Sequence, residues 1–570
     1  MTGYVPQPVI FTKEKKGEYA MKKFCSALLA AALAVSLALP VSAASFRDVP
    51  AGSSLASEVQ KAVDYGLMGG YSAASFGYSD SMTRGQFAGV LVRMMATTMN
   101  WVTETPAQPS FTDVPASHAW YSAAETALSH DVVDGGGAFR PNAPITRAEM
   151  SEMLVRALGL KGAAAIEEKQ ASLPFTDVTE GKGYVAVAYQ IGMTTGASAT
   201  TFAPSATATR AQAAAMLVRI YEKLNRNVDL VHGFYAISSY SQLGLTDGME
   251  AVSAGWSRMT WDGTKALLST TSANGNEYAI PSGYQDVTGY LDANGTALNL
   301  SVFMDVSGGV RDLLASANGR EAAVEQIENE LTVSYNAIGK NPYDGVTIDF
   351  EGLRTSQKAN FTAFITALAG KVHSLGKCLY VCVSPALTTG SYYDGYDDRA
   401  IGQLADKVIL MAYDYSAVDL TAYVGTEYYK TAAPAPADQV YASLLAAADS
   451  DTGVADVSKL VLGYSSKPMA WKIDVDGKLL SGTPVYPSNE TLYQRLNQSD
   501  TETGWSDTYQ QPYAVYTTED GSRYFVWYDN DDSVQVKLNA AKLLGITGVS
   551  LWRLGTIPTE HSWNWNNLLA

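Results

Sequence analysis

Between positions 344 and 351 the chain reads Asp344-Gly345-Val346-Thr347-Ile348-Asp349-Phe350-Glu351, polar and apolar residues alternating up to two acids. Side chains on a strand alternate faces. Val346, Ile348 and Phe350 then share one face, and Thr347, Asp349 and Glu351 the other. Two carboxyls about 6–7 Å apart on one strand cannot both ionise cheaply in a shielded site, so one pKa rises. A protonated Glu351 beside an ionised Asp349 is the pairing that glycosidic cleavage needs at its leaving oxygen. The plain alternative is a pair of salt-bridged structural acids.

Such a pair needs a rigid frame. From about residue 229, strand-like runs alternate with helical stretches: Leu230–Ile237, Ala251–Met259, Leu298–Met304, Val346–Glu351, Leu379–Ser384, Val408–Tyr413, Leu460–Gly463 and Gly548–Trp552. Glu321–Ile338, Ser356–Leu375 and Val534–Leu544 read as helices between them. This pattern predicts an α/β fold, a closed (β/α)8 TIM barrel over 229–570. Its acids would line the lumen and rise toward the C-terminal rim, where such barrels work. A Pro-, Gly- and Tyr-rich stretch at about 464–523 reads as an inserted, β-rich α+β subdomain.

Upstream the texture differs. Phe46-Arg47-Asp48-Val49 recurs as Phe111-Thr112-Asp113-Val114 and Phe175-Thr176-Asp177-Val178, while Phe76, Phe139 and Phe202 recur every 63 residues. Thr83-x-x-Gln86, Thr146-x-x-Glu149 and Thr209-x-x-Gln212 are capping boxes, each ahead of an apolar stripe at helical spacing. These features predict an all-α unit of three stacked repeats, 44–107, 108–170 and 171–225, forming a three-fold bundle. Arg84, Arg147 and Arg210 each follow a capping threonine, at a helix start whose open amides favour an anion. Either the three bind an anionic ligand, or each pairs with an acid of its own repeat.

The repeats resemble surface-layer homology domains, most clearly through Phe111–Val114, Phe139-Arg140-Pro141 and Ile145-Thr146-Arg147-Ala148-Glu149. That resemblance implies non-covalent anchoring to a secondary cell-wall polysaccharide, often carrying pyruvate ketals, with Arg84, Arg147 and Arg210 as its binding residues. The string ending at Glu351 resembles the fourth-strand motif of glycoside hydrolase family 18. Met411-Ala412-Tyr413-Asp414-Tyr415 is similar to the family's sixth-strand motif, and Gly548–Trp552 to its eighth strand. Val526-Trp527-Tyr528-Asp529, Ser533 and Lys537 are similar to the branch of spore-cortex and cell-wall N-acetylglucosaminidases. The resemblance implies substrate-assisted retention, in which the 2-acetamido oxygen attacks in place of a carboxylate. Glu351 would then be the acid and base, and Asp349, Tyr413 and Asp414 would hold the acetamido group. Met411 would line the site, and Trp552 would stack beneath the sugar. Thr347 stands where the family usually has an acid, which turns the reading from chitin toward wall glycan.

Composition narrows the partners. Forty basic against 57 acidic residues give −17, which excludes a broad basic grip on nucleic acid. Five histidines and three cysteines form no ligand pattern, so neither metal nor cofactor is expected. Met21-Lys22-Lys23, a 13-residue apolar run from Ala27 to Leu39, and Val41-Ser42-Ala43 read as a secretory signal over 21–43. Residues 1–20 then precede the true start, and no transmembrane segment remains after cleavage. The combined expectation is a secreted hydrolase of a GlcNAc polymer, held in a Gram-positive-type wall. A chitinase acting on external polymer and a non-catalytic carbohydrate-binding surface protein are the alternatives.

Overall fold

The computed structural model describes residues 46–273, 276–387, 393–416 and 418–557. The stretches read as an upstream start and a secretory signal lie outside these residues. The chain forms two compact units, one holding the chain up to Ala157 with Ser172–Glu222, the other Leu158–Ala171 with everything from Lys223 onward.

In the first unit each repeat contributes a helix pair: Ala56–Asp64 with Arg84–Thr98, Tyr121–Ser129 with Arg147–Ala157, and Lys182–Gln190 with Arg210–Leu224. All three capping boxes form. Gln86, Glu149 and Gln212 donate their backbone amides to Thr83, Thr146 and Thr209, and their side chains accept the threonine amides in return. The recurrent Phe and Asp hold each loop. Asp48 accepts the amides of Phe76 and Gly77, Asp113 those of Phe139 and Arg140, and Asp177 those of Phe202 and Ala203. Gly77, Arg140 and Ala203 are all left-handed (φ 78°, 60° and 59°), so the aspartate bonds hold two non-glycine residues in a costly conformation.

The second unit is the expected barrel. Its eight parallel strands are β1 (Leu230–Tyr235), β2 (Ala251–Trp261), β4 (Ala297–Met304), β5 (Gly345–Phe350), β6 (Cys378–Val383), β7 (Lys407–Met411), β8 (Leu460–Ser465) and β13 (Gly548–Trp552). Each pairs with the next, and β13 pairs with β1 to close the sheet. A short β3 (Ala266–Ser269) folds back antiparallel on β2. The helix expected at 321–338 instead spans Ala317–Glu330: Ser316 caps its start by accepting the Gly319 amide, and the β-branched Thr332 and Val333 follow its end.

The inserted excursion forms a four-stranded antiparallel sheet of β9 (Met469–Ile473), β10 (Glu502–Ser506), β11 (Gln511–Thr517) and β12 (Arg523–Trp527), with the helix Asn489–Leu496. It therefore ends past the expected residue 523, because Phe525 and Trp527 are core residues of that sheet. The helix Lys161–Gln170, numerically inside the second repeat, belongs to the barrel unit and packs on the helix Ala437–Ala447.

Candidate active site

The strand alternation holds through β5. Phe350 points outward and stacks on Phe364 of the helix Lys358–Ser374, ring centroids 5.1 Å apart. Thr347 points inward, its hydroxyl 2.6 Å from that of Ser253. Asp349 is 3% exposed, and Glu351 follows directly past the end of β5, half-buried. Three bonds fix the backbone there. The Glu351 amide donates to the Met304 carbonyl, the Tyr396 hydroxyl to that of Phe350, and the Arg311 guanidinium to that of Gly352. Gly352 has φ 75°, and a Cβ on it would lie 2.5 Å from Val306, so this turn requires glycine.

Residues from other strands converge on the acids. Met411, Tyr413 and Trp552 pack with Phe234, Tyr380 and Cys382 in one lumenal cluster, and Trp552 meets Phe234 edge-on at 5.1 Å. A cavity of about 440 Å³ opens there, bounded by Phe234, Tyr278, Phe303, Asp349 and Trp552, a volume in the small-ligand range. Asp414 follows β7 at φ 59°, a strained conformation for a non-glycine residue and one often found at functional sites.

Burial pushes the Glu351 carboxyl up to about 7, helped by the charges of Asp414 and Asp305. Burial raises Asp349 well above the usual carboxylate range, and the charge of Glu351 adds to this. For Asp349 this makes ionisation costly. Its Oδ1 is buried with no hydrogen-bond partner among the described residues, so nothing there stabilises its charge. The Tyr413 hydroxyl is raised by burial and by both acids. Asp414 is open to the cleft as a residue, yet desolvation raises its carboxyl, opposed by the Lys467 charge.

Beneath the acids runs a chain that sequence reading missed. His232 Nδ1 lies 2.7 Å from the Ser550 hydroxyl and its Nε2 2.7 Å from that of Ser253, which meets Thr347. Burial drops the imidazole to about 3, so it is neutral and one of its nitrogens donates. The alternation of β1, which turns Leu230, His232 and Phe234 inward together, was the available signal.

In the repeat unit the three arginines stand at the junctions between repeats. Arg84 pairs with Glu149 at 3.3 Å and lies over Phe139. Arg147 donates to the Phe202 carbonyl and the Thr194 hydroxyl, and Arg210 to the carbonyls of Phe76 and Gly69. First-turn amides expected to be open are occupied: those of Arg84, Arg147 and Arg210 donate to the carbonyls of Ala143, Ala206 and Asp80. Each helix start is thus completed by another repeat. The one acid partner among the described residues, Glu149, also comes from the adjacent repeat and not from the arginine's own.

Residues 204–556, more than half of the chain, match the model of glycosyl hydrolases family 18. The chain belongs to that family. Residues 45–88, 110–151 and 174–214 match the S-layer homology domain. The cortical fragment-lytic enzyme of Bacillus subtilis is 24% identical over 239 residues, 41% of this chain and 51% of that protein. S-layer protein EA1 of Bacillus anthracis is 28% identical over 272 residues, 46% of this chain and 30% of that protein. The chain spans about half the length of the first of these relatives, and less of the second. Among solved structures, the Bacillus cereus spore cortex-lytic enzyme SleL aligns over 60% of this chain and 73% of its own, with 18% identity and a TM-score of 0.46.

In this family-18 barrel, the Asp529, Ser533 and Lys537 pattern is structural. Lys537 donates to Asp529 at 2.5 Å and Ser533 at 2.7 Å, with the ion pair almost fully buried. Among the residues carried over from sequence, Glu351, Asp349, Tyr413, Met411 and Trp552 gather at the C-terminal mouth of the barrel, with Asp414 on its rim.

Proposed function

We propose that this chain is a secreted, wall-anchored hydrolase that cuts β-N-acetylglucosaminyl linkages of peptidoglycan or a related GlcNAc polymer. The observation that carries this reading is the pair of inward carboxyls at the barrel mouth, both raised by burial and the deeper one unpaired. A carboxyl near 7 can protonate a leaving oxygen and then take a proton from water. On this reading the pair holds one proton in the working state. Glu351 carries it to the leaving oxygen, and Asp349, ionised as its partner, stabilises the cationic intermediate formed by the 2-acetamido group. Tyr413 and Asp414 hold that group, Met411 lines the site, and Trp552 stacks beneath the ring. The names of the cortex-lytic relatives support a wall glycan as substrate, and the S-layer relatives support wall anchorage.

For the anchor, we assign the anionic secondary cell-wall polysaccharide to the junction at Arg147. Arg147 is half-buried and its guanidinium bonds only neutral groups among the described residues, so its charge is available to pyruvate or another anion, whereas Arg210 is 3% exposed and enclosed by the carbonyls and rings it holds. Arg84 is already offset by Glu149.

The test offers the full chain three soluble substrates: peptidoglycan strands freed of secondary polymer, chitin oligomers, and the same peptidoglycan de-N-acetylated. Reducing ends should appear fastest from acetylated peptidoglycan and not at all from the de-N-acetylated form. Equal cleavage of the de-N-acetylated strands rules out acetamido participation. Cleavage of chitin alone makes the protein a chitinase, and inertness toward all three makes it a binder.

A further inference from the structure

A cationic and aromatic pair outside the cavity lies beside the same mouth. Lys467 stands two residues beyond the end of β8, on the catalytic rim, its amide donating to the Ser465 hydroxyl at 3.2 Å. Tyr486 is brought to it by the inserted subdomain: Val485 and Ala470 exchange two backbone bonds of 2.8 Å. The Lys467 ammonium then sits 3.8 Å from the centroid of the Tyr486 ring, and both residues are exposed. No carboxylate among the described residues lies within ion-pair distance of it. Of the other cations at the cavity, Arg258 pairs with Asp305, and Arg553 is held to the cavity wall by the Ser238 hydroxyl and the Leu554 carbonyl.

We infer that Lys467 and Tyr486 form a further substrate contact for a carboxylate on the glycan, adjoining the pocket that seats N-acetylglucosamine. This rests on the peptidoglycan reading above and deepens it. The ring face holds the ammonium itself but gives it no ion-pair partner, so it is preset to receive an anion beside a flat aromatic surface. The pair borders the cleft, since the Lys467 charge lowers the Asp414 carboxyl and the Asp414 charge raises the Tyr486 hydroxyl. In a chain of net charge −17, an uncompensated cation at the rim of an acid-lined cleft selects by charge. Peptidoglycan carries carboxylates on its peptide branches, and on its lactyl groups where the peptide has been removed, whereas chitin carries none. The contact would therefore separate the two polymers where the sugar pocket alone does not.

The test compares kcat/KM of the full chain on soluble peptidoglycan fragments, stripped of secondary polymer, with kcat/KM on the same fragments after their carboxyls are amidated. The native protein should prefer the free-carboxylate form about fivefold at low salt, as for one well-placed surface charge pair. That preference should shrink as salt rises. Lys467→Met, which keeps an unbranched side chain and removes the charge, should bring the ratio to about one. Lys467→Arg should retain it and Lys467→Glu reverse it. A native ratio near one, or an equal loss on both fragments in Lys467→Met, overturns the contact while leaving the peptidoglycan reading intact. Hydrolysis of chitin oligomers with neither fragment cleaved overturns both.

Discussion

The repeat unit and the barrel both bury charged side chains, and they treat them in opposite ways. In the repeats, Arg210 is 3% exposed yet donates to two carbonyls and lies over the rings of Tyr71 and Phe76. Arg156 is similarly buried and bonds both Asp131 and Asp134. In the barrel, Asp349 is equally buried, and one of its oxygens has no partner among the described residues. The barrel can satisfy a buried acid where it needs to, as the Asp529–Lys537 pair demonstrates. A satisfied buried charge holds chain together. One left unsatisfied at the edge of a cavity keeps a high free energy that substrate can relieve.

The strongest attempt to break this contrast is Glu351→Gln. Its backbone bond to Met304 survives the change, and glutamine keeps the shape, so the melting temperature should stay within about 2 °C. The turnover number should fall about 10³-fold, the range of a lost general acid. Assay on soluble GlcNAc-containing strands beside a thermal melt checks both. Full activity in this variant would move Glu351 into the structural class with Asp529.

Arg210→Ala tests the other side. It removes two charge-assisted bonds and orphans the carbonyls of Phe76 and Gly69, at a cost of about 3 kcal/mol in urea unfolding of the repeat unit. Arg84→Ala should cost about 1 kcal/mol, because Glu149 keeps Arg140 at 2.6 Å and the Arg84 Nε already lacks a partner. Equal losses would mean that the bonding of these arginines does not set their structural role.

What the sequence disclosed follows the same division between local and distant causes. The capping boxes, the Phe–Asp loops and the alternation on β5 are properties of a few adjacent residues, and all could be read directly. Seven of the eight barrel strands show as apolar-rich runs of four to eight residues, and β2 as a weaker one. The hairpin strand β3 escaped because its four residues, Ala266–Ser269, show pairing only against β2. The occupied helix starts were misjudged for a longer-range reason: the carbonyl that fills the Arg210 amide belongs to Asp80, far back in the chain. His232, Ser253, Thr347 and Ser550 come from four strands and become a chain only once the barrel closes. Lys467 and Tyr486 needed the inserted sheet to meet.

The smallest effect bears on the contrast most directly, because it measures what the unsatisfied acid costs the fold. An unfolded aspartate ionises at about 4, but burial holds the folded Asp349 carboxyl well above that. Its stabilising contribution is therefore complete below pH about 4 and is lost as pH rises toward the folded value. Asparagine at 349 has no charge to desolvate, so Asp349→Asn should match the native protein at pH 4 and exceed it increasingly at pH 6 and 8. About 1 kcal/mol at pH 8 corresponds to a gain of about 2 °C in the barrel transition. Thermal melts of both proteins across the three pH values decide it. A variant less stable than the native protein at pH 8 would mean that Asp349 is held as a charge by its surroundings, and the barrel would then handle its acids just as the repeats handle their arginines.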